Sequence, residues 1–142
     1  MRKTYNLLIG EPTAERIKVR LGSAIPLKPE EEMDVKGRDL VSGLPKTVPV
    51  DSSGIRDAIQ EPLCRIVNAV RRALEITPPE LSSDILEHGI VLTGGGSLIR
   101  GLDQLLQEET GLSVRVDADP LTSVVRGTGR ILEDLHRFAK VL

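Results

Sequence analysis

Gly89-Ile90-Val91-Leu92-Thr93-Gly94-Gly95-Gly96-Ser97-Leu98 is the stretch on which the reading of this chain turns. Three aliphatic residues bounded by glycine predict a short buried strand over 90–92. Thr93 to Ser97 predicts a tight loop, and Leu98 to Glu109 a helix with Leu98, Leu102, Leu105 and Leu106 turned inward. Gly111 stops that helix, and Val114-Arg115-Val116 supplies a second strand. Three consecutive glycines can turn their N–H groups toward one point, because no side chain restricts φ or blocks approach. The dipole of the following helix adds to this, so an anion or the sugar–phosphate region of a nucleotide fits the loop. A tight turn with nothing bound fits it equally. Two named phosphate motifs do not: a dinucleotide G-x-G-x-x-G needs glycine where Ile99 stands, and a Walker loop needs a lysine, whereas none occurs between Lys46 and Lys140.

Downstream, Leu121 to Leu142 reads as largely helical, interrupted near Gly127-Thr128-Gly129. Each glycine inside a helix costs roughly 1 kcal/mol relative to alanine, and close packing is the commoner reason to accept that cost twice. Upstream, Ser52 or Ser53 can cap a helix carrying Ile55 and Ile59, which Pro62 breaks or restarts. Leu63, Ile66, Val70 and Leu74 then recur at helical spacing, with Cys64 beside that stripe as a packing residue. Thr77-Pro78-Pro79-Glu80-Leu81 predicts a helix stop followed by a capped short helix.

The first third has a different texture. Residues 1–9 look like the tail of a helix that begins outside this chain. Pro12 suits the first turn of a new helix, in which Ala14, Ile17 and Leu21 form an apolar stripe and Gly22 ends it. Within it Glu15 and Lys18 share a face, either as a surface ion pair or as holders of a polar ligand. Val35, Val41, Val48 and Val50, set among Gly37, Gly43, Pro45 and Pro49, predict two or three short antiparallel strands. Glu30-Glu31-Glu32 reads as a solvated loop or strand edge. The order of elements gives an α+β lobe over 1–60 and an α/β lobe over 61–142, with Pro62 near the join.

Composition removes several functions. Leu, Ile and Val make up 44 of the 142 residues, enough for a packed core and too many for a disordered chain. No apolar run approaches the roughly 18 residues of a membrane span, and no signal-peptide pattern opens the chain, so it reads as soluble and cytoplasmic. A net charge of −2 argues against a nucleic-acid footprint, and Tyr5 and Phe138 alone give no base-stacking platform. One cysteine and two histidines, His88 and His136, leave little from which to build a zinc site or a Cys/His nucleophile pair. No catalytic residue and no metal ligand is nominated.

Five blocks, taken in order, resemble the C-terminal half of the MreB family of bacterial actins, which determine rod cell shape. They are Tyr5 to Glu11 running on into Ala14-Glu15-Arg16-Ile17-Lys18, Val35-Lys36-Gly37-Arg38-Asp39-Leu40, Thr77 to Leu81, Gly89 to Ser97, and Asp119-Pro120-Leu121-Thr122. The resemblance implies the actin-like ATPase fold (ribonuclease H-like), second half only, with subdomain IIB in 1–60 and IIA in 61–142. It implies that Gly94, Gly95, Gly96 and Ser97 lie against the adenosine of ATP or ADP. Glu15, Arg16, Ile17 and Lys18 correspond to the helix that approaches adenine and ribose, and Asp119 to Gly129 to the connecting helix of the interdomain hinge, its glycines closely packed. The phosphate loops, the magnesium-coordinating carboxylate and the membrane-binding segment of that family belong to its other half, so this chain by itself is expected to be inactive as an ATPase. The implied partners are further copies of itself, as filament or dimer, and a RodZ-like morphogenesis protein. A face left open by the other half would be an apolar patch and a dimer surface. A stand-alone interaction module that caps or modulates a full-length filament is the competing expectation.

Overall fold

The computed structural model describes residues 1–138 and has two compact units. One comprises Met1–Val70 with Ile99–Gly101, the other Arg71–Leu98 with the residues from Leu102 onward. The division falls inside a helix, ten residues beyond the boundary read at 60/61, and the three-residue segment 99–101 sits with the first unit.

In the first unit, a short helix α1 (Arg2–Tyr5) leads into strand β1 (Leu7–Leu8), so the opening is not one helical tail. Asn6, in the left-handed region with φ 49°, makes the turn between them. Helix α2 (Glu11–Leu21) starts with proline in its first turn, as the missing N–H there is an orphan in any helix. Ile17 and Leu21 face the core, but Ala14 is exposed and Thr13 takes its place on the inward side. Strands β2 (Glu32–Asp39) and β3 (Pro45–Asp51) pair antiparallel, with β1 on the other edge of β2. Alternation puts Val35, Val48 and Val50 inside, while Val41 lies in the exposed turn between the strands. Gly37 allows β1 its close approach: a Cβ there would stand 2.6 Å from the Leu8 carbonyl oxygen and 2.8 Å from Leu7 Cγ. Leu7, Ile17, Leu21, Val35, Val48, Val50 and Ile55 form the resulting core.

Helix α3 (Ser52–Glu75) runs for 24 residues with Pro62 inside it, so proline neither breaks nor restarts it. Its inward positions are Ile55, Ile59, Leu63 and Val67, four residues apart, and not the Leu63–Ile66 register. Pro62 and Ala58, whose carbonyl loses its helical partner to the proline, both lie on the exposed face, where that oxygen is open to solvent. Cys64 is exposed as well and does not pack. The cap of α3 comes from Asp51, whose Oδ1 accepts the Gly54 N–H at 2.6 Å; Ser52 is buried and used elsewhere.

In the second unit, helix α4 (Pro79–His88) has no side-chain cap bond at its start. Strands β4 (Ile90–Leu92) and β5 (Val114–Val116) pair in parallel, Ile90 opposite Val114, with α5 (Leu102–Thr110) as their crossover. Val91 is 43 % exposed, so β4 is not the fully buried strand its residues suggest. The crossover helix begins at Leu102, later than expected; Gly95–Leu98 is a 3₁₀ turn, and Leu98 points outward at 55 % exposure. Helix α6 (Ser123–Glu133) runs unbroken through Gly127 and Gly129, and the break comes at Asp134, before α7 (Leu135–Phe138). The expected helical continuation over 139–142 lies outside the described residues.

Candidate functional site

The glycine loop belongs to the second unit. Gly94 has φ +77°, a conformation that disfavours any side chain, and apart from chain neighbours no heavy atom of the described residues lies within 4 Å of the Cβ positions of Gly94 or Gly96. The loop is held from below. The Gly94 N–H donates to the Pro120 carbonyl at 2.7 Å, and Ser97, 6 % exposed, returns its hydroxyl to the Gly94 carbonyl at 2.7 Å. The Ser97 N–H donates to the same carbonyl at 3.2 Å. The structure departs from the expected anion cradle in two ways. The Gly94 N–H is spent on Pro120 and cannot converge with its neighbours, leaving Gly95 and Gly96, which open a 3₁₀ turn and have no carbonyl ahead of them within it. The dipole of α5 starts seven residues after Gly95 and does not act at the loop.

Residues Glu15–Lys18 lie on α2 in the first unit. Glu15 and Lys18 form an exposed ion pair at 2.6 Å, and Arg16 is exposed beside them. Ile17, 3 % exposed, points the other way into the core, so it anchors the segment and offers no side chain to a ligand. The structure thus presents three polar side chains on a helix fixed by Ile17 and Leu21.

Asp119 to Gly129 forms a polar knot and not a tightly packed glycine pair. Ser123 Oγ donates to Asp117 Oδ2 at 2.5 Å and to the Asp119 carbonyl at 2.9 Å, and Thr122 donates to the Asp119 carboxylate. The Ser123 hydroxyl, and after it the Asp119 N–H, hold the Asp117 carboxyl below its ordinary range. Asp117, Ser123, Arg126, Gly127 and Arg130 line a cavity of about 330 Å³. The Cβ positions of Gly127 and Gly129 meet nothing within 4 Å among the described residues, so close packing does not explain them here.

Sequence reasoning passed over one further cluster, in the first unit. Glu30 accepts from Arg56 at 2.7 Å and from the buried Ser52 hydroxyl, and Glu31 accepts from Arg100 at 2.7 Å. Arg56, and then Ser52, hold the Glu30 carboxyl down at about 2. Glu30 and Glu31 are therefore partnered, not merely solvated, and Glu32 opens strand β2. The clue available was the separation of these glutamates from two arginines, which no periodicity links. Among the described residues no group of three or more His, Cys, Asp or Glu could hold a metal ion, and no helix is long and apolar enough to cross a membrane.

A three-stranded antiparallel unit followed by a parallel strand–glycine loop–helix–strand unit defines the class: this is the actin-like ATPase fold, α/β, represented in its second half with a small α+β subdomain. The MreB5 structure of Spiroplasma citri, solved bound to ADP, superposes with a TM-score of 0.91 at 37 % identity, over 98 % of this chain and 42 % of that one. The double helical filament of MamK superposes at 0.74 and 25 % identity, over 93 % of this chain and 40 % of that one. The MreB/Mbl protein family matches residues 1–140, and the chain belongs to it. The cell shape-determining protein MreB of Escherichia coli K12 is 55 % identical over 96 % of this chain and 40 % of its own length. Mbl of Bacillus subtilis 168 is 45 % identical over 99 % of this chain and 42 % of its own. The chain thus spans about two-fifths of the relatives it matches.

Proposed function

We propose that this chain supplies adenosine-side determinants of an adenine-nucleotide site in an MreB-type cytoskeletal protein. Gly94, Gly95, Gly96 and Ser97 form one contact segment. Glu15, Arg16 and Lys18 form another, with Ile17 holding it to the core. The single observation that carries this reading is the open surface over the Thr93–Ser97 loop, which is rigidly tied beneath through Pro120 and Ser97 and has no side chain above Gly94 or Gly96. A planar base or a ribose can lie directly on such a backbone. The similar MreB5 chain bound to ADP supports it. The bound nucleotide supplies the phosphates; this chain's residues bind and orient the nucleoside end.

In this reading residues 1–60 are the IIB-like subdomain and residues 61–142 the IIA-like one. The intact protein polymerises into filaments in the cytoplasm beneath the membrane and organises cell-wall synthesis to hold a rod shape. Self-association is supported by the similar filament of MamK. A RodZ-like membrane protein is the heterologous partner proposed.

The test is a calorimetric titration of the chain with ADP, set against Gly95→Val. A Cβ at Gly95 would meet only Leu121 Cδ2, at an ordinary 3.6 Å, so a side chain there covers the loop without disturbing its supports. Binding by the wild type that the variant loses, with unchanged circular dichroism, is the expected result. Equal binding by both would refute the assignment of the loop.

A further inference from the structure

We propose that the cavity between α6 and the end of β5 binds inorganic phosphate, held by Arg126 and Arg130 and selected by Asp117. The proposal goes beyond the nucleotide reading and does not depend on it. The five lining residues, Asp117, Ser123, Arg126, Gly127 and Arg130, all belong to the second unit. Positions 123, 126, 127 and 130 follow one another at helical spacing, so one face of α6 supplies four of the five. A volume of about 330 Å³ is at the small end of ligand sites and suits a compact ion.

The two arginines are where an anion gains. Arg130 has no ion pair and no side-chain hydrogen bond among the described residues. Arg126 is held loosely, 3.5 Å from both Asp117 Oδ1 and the Asp119 carbonyl. An engaged arginine of this chain sits closer: Arg56 lies 2.7 Å from Glu30. Both guanidiniums therefore keep donors for a ligand, and their planar fork matches paired oxygens of a tetrahedral oxyanion. Gly127 leaves the wall open, since a Cβ there would meet nothing within 4 Å among the described residues.

Asp117 decides which anion fits. Its carboxyl is held below its ordinary range and is charged at neutral pH. Oδ2 accepts the Ser123 hydroxyl at 2.5 Å, whereas Oδ1 has long contacts, the Asp119 N–H at 3.4 Å and Arg126 at 3.5 Å. The lining thus carries two positive charges and one negative, with an acceptor left over. Hydrogenphosphate answers all of these: its bare oxygens face the guanidiniums and its P–OH donates to Asp117 Oδ1. Sulfate has the same shape and no proton at neutral pH, so it sets an oxygen lone pair against the carboxylate. A phosphate monoester has lost most of its second proton at that pH and meets the same repulsion. The cavity discriminates through a hydrogen bond that hydrogenphosphate alone of these three donates.

The experiment titrates the chain calorimetrically with sodium phosphate and with sodium sulfate at matched ionic strength. Saturable one-to-one binding of phosphate is expected, about tenfold tighter than sulfate. Arg130→Gln, which breaks no contact of the fold, weakens phosphate about tenfold, the scale of one lost charge-assisted hydrogen bond. Gly127→Leu puts a side chain into the cavity and abolishes binding with unchanged circular dichroism. Asp117→Asn turns an amide donor toward the ion and removes the preference, so that sulfate binds about as well as phosphate. A wild type that binds neither ion, or both equally, overturns the proposal. Phosphate affinity undisturbed by Arg130→Gln overturns it as well. Should Asp117→Asn fail to fold, the wild-type preference and Arg130→Gln decide the matter between them. Displacement of bound phosphate by ADP and not by adenosine would give the cavity to the nucleotide's own phosphates and overturn inorganic phosphate as its ligand.

Discussion

The two units spend their aliphatic residues differently. The first encloses Leu7, Ile17, Leu21, Val35, Val48, Val50 and Ile55 in one continuous core, drawn from two helices and all three strands. The second buries Leu102, Leu106 and Val114, while Val91, Leu121, Val124, Val125 and Leu132 stay on its surface. Hydrophobic stabilisation scales with the apolar area removed from water, so among the described residues the first unit draws more of it than the second. The first unit exposes aliphatics chiefly at the hairpin tip, Leu40, Val41 and Leu44, a turn held by Asp39. Buried and exposed aliphatic residues are thus divided unequally between the two parts of the chain.

Truncating a central residue in each unit tests that contrast most strongly. Leu21→Ala removes a fully buried side chain from the closed core and is expected to cost about 3–5 kcal/mol, enough to unfold the first unit. Leu106→Ala, equally buried, is expected to cost about 2–3 kcal/mol, because its sparser surroundings collapse more readily into the space. Urea denaturation followed by hydrogen exchange resolves the units separately. Equal costs at the two sites would break the comparison.

The two glycines of the second unit that combine positive φ with neighbouring strand β4 sharpen it further. At Gly89, φ +73°, a Cβ would lie 2.3 Å from the Ser113 carbonyl oxygen; at Gly94 it would meet nothing. Gly94→Ala carries only the left-handed penalty of about 1–2 kcal/mol, and Gly89→Ala adds a backbone clash that the β4–β5 pair must move to relieve. Thermal melts should therefore rank Gly89→Ala well below Gly94→Ala. A Gly94→Ala variant as unstable as Gly89→Ala would show that the loop is more confined than its open surface indicates.

Much of this was legible from the residues, and the failures share a cause. Pro12, Gly111 and the Val-rich strands were readable because turn chemistry and alternation act within a few residues. Pro62 was misread because its tolerance depends on which face of α3 meets solvent, and the register of that face is set by Ile55, which joins the core of the strands, and by the buried Leu63 and Val67. The start of α5 was misplaced because residues 99–101 are recruited by Ser23 and Ile25, far away in sequence. The same distance hid Arg100 and Arg56 behind what looked like a solvated acidic run. At the proposed site, the glycines marked the loop correctly as a loop, but nothing local could show that Pro120 occupies the Gly94 N–H.

Acid provides a next, smaller contrast. Glu30 has its carboxyl held down at about 2 against an ordinary 4.5, by Arg56 and Ser52. A depressed folded-state value means that the stabilisation is fully present above pH 4.5 and is lost as pH falls toward 2. Asp39 in the same unit, held well below the carboxylate range by the Ser42 N–H and Lys46, extends the loss to lower pH. The first unit should therefore lose stability between pH 4.5 and 2, and Glu30→Gln should flatten that dependence. An unchanged pH profile in the variant would locate the acid sensitivity elsewhere.

The smallest expected effect on stability decides most about the site. Glu15 and Lys18 pair on an exposed helix face at spacing i, i+3, and such pairs contribute at most about 0.5 kcal/mol. Lys18→Gln should leave the melting curve within that margin. If Lys18 lies against a nucleotide, the same substitution weakens ADP binding severalfold, a loss that cannot come from the fold because the fold has barely changed. If ADP binding is also unmoved, the pair is a surface ion pair and nothing more, and the contribution of α2 to binding reduces to Glu15 and Arg16. Ile17→Ala makes the complementary case, since its side chain lies in the core: it should cost about 2–4 kcal/mol and reduce affinity only in proportion to the protein it unfolds.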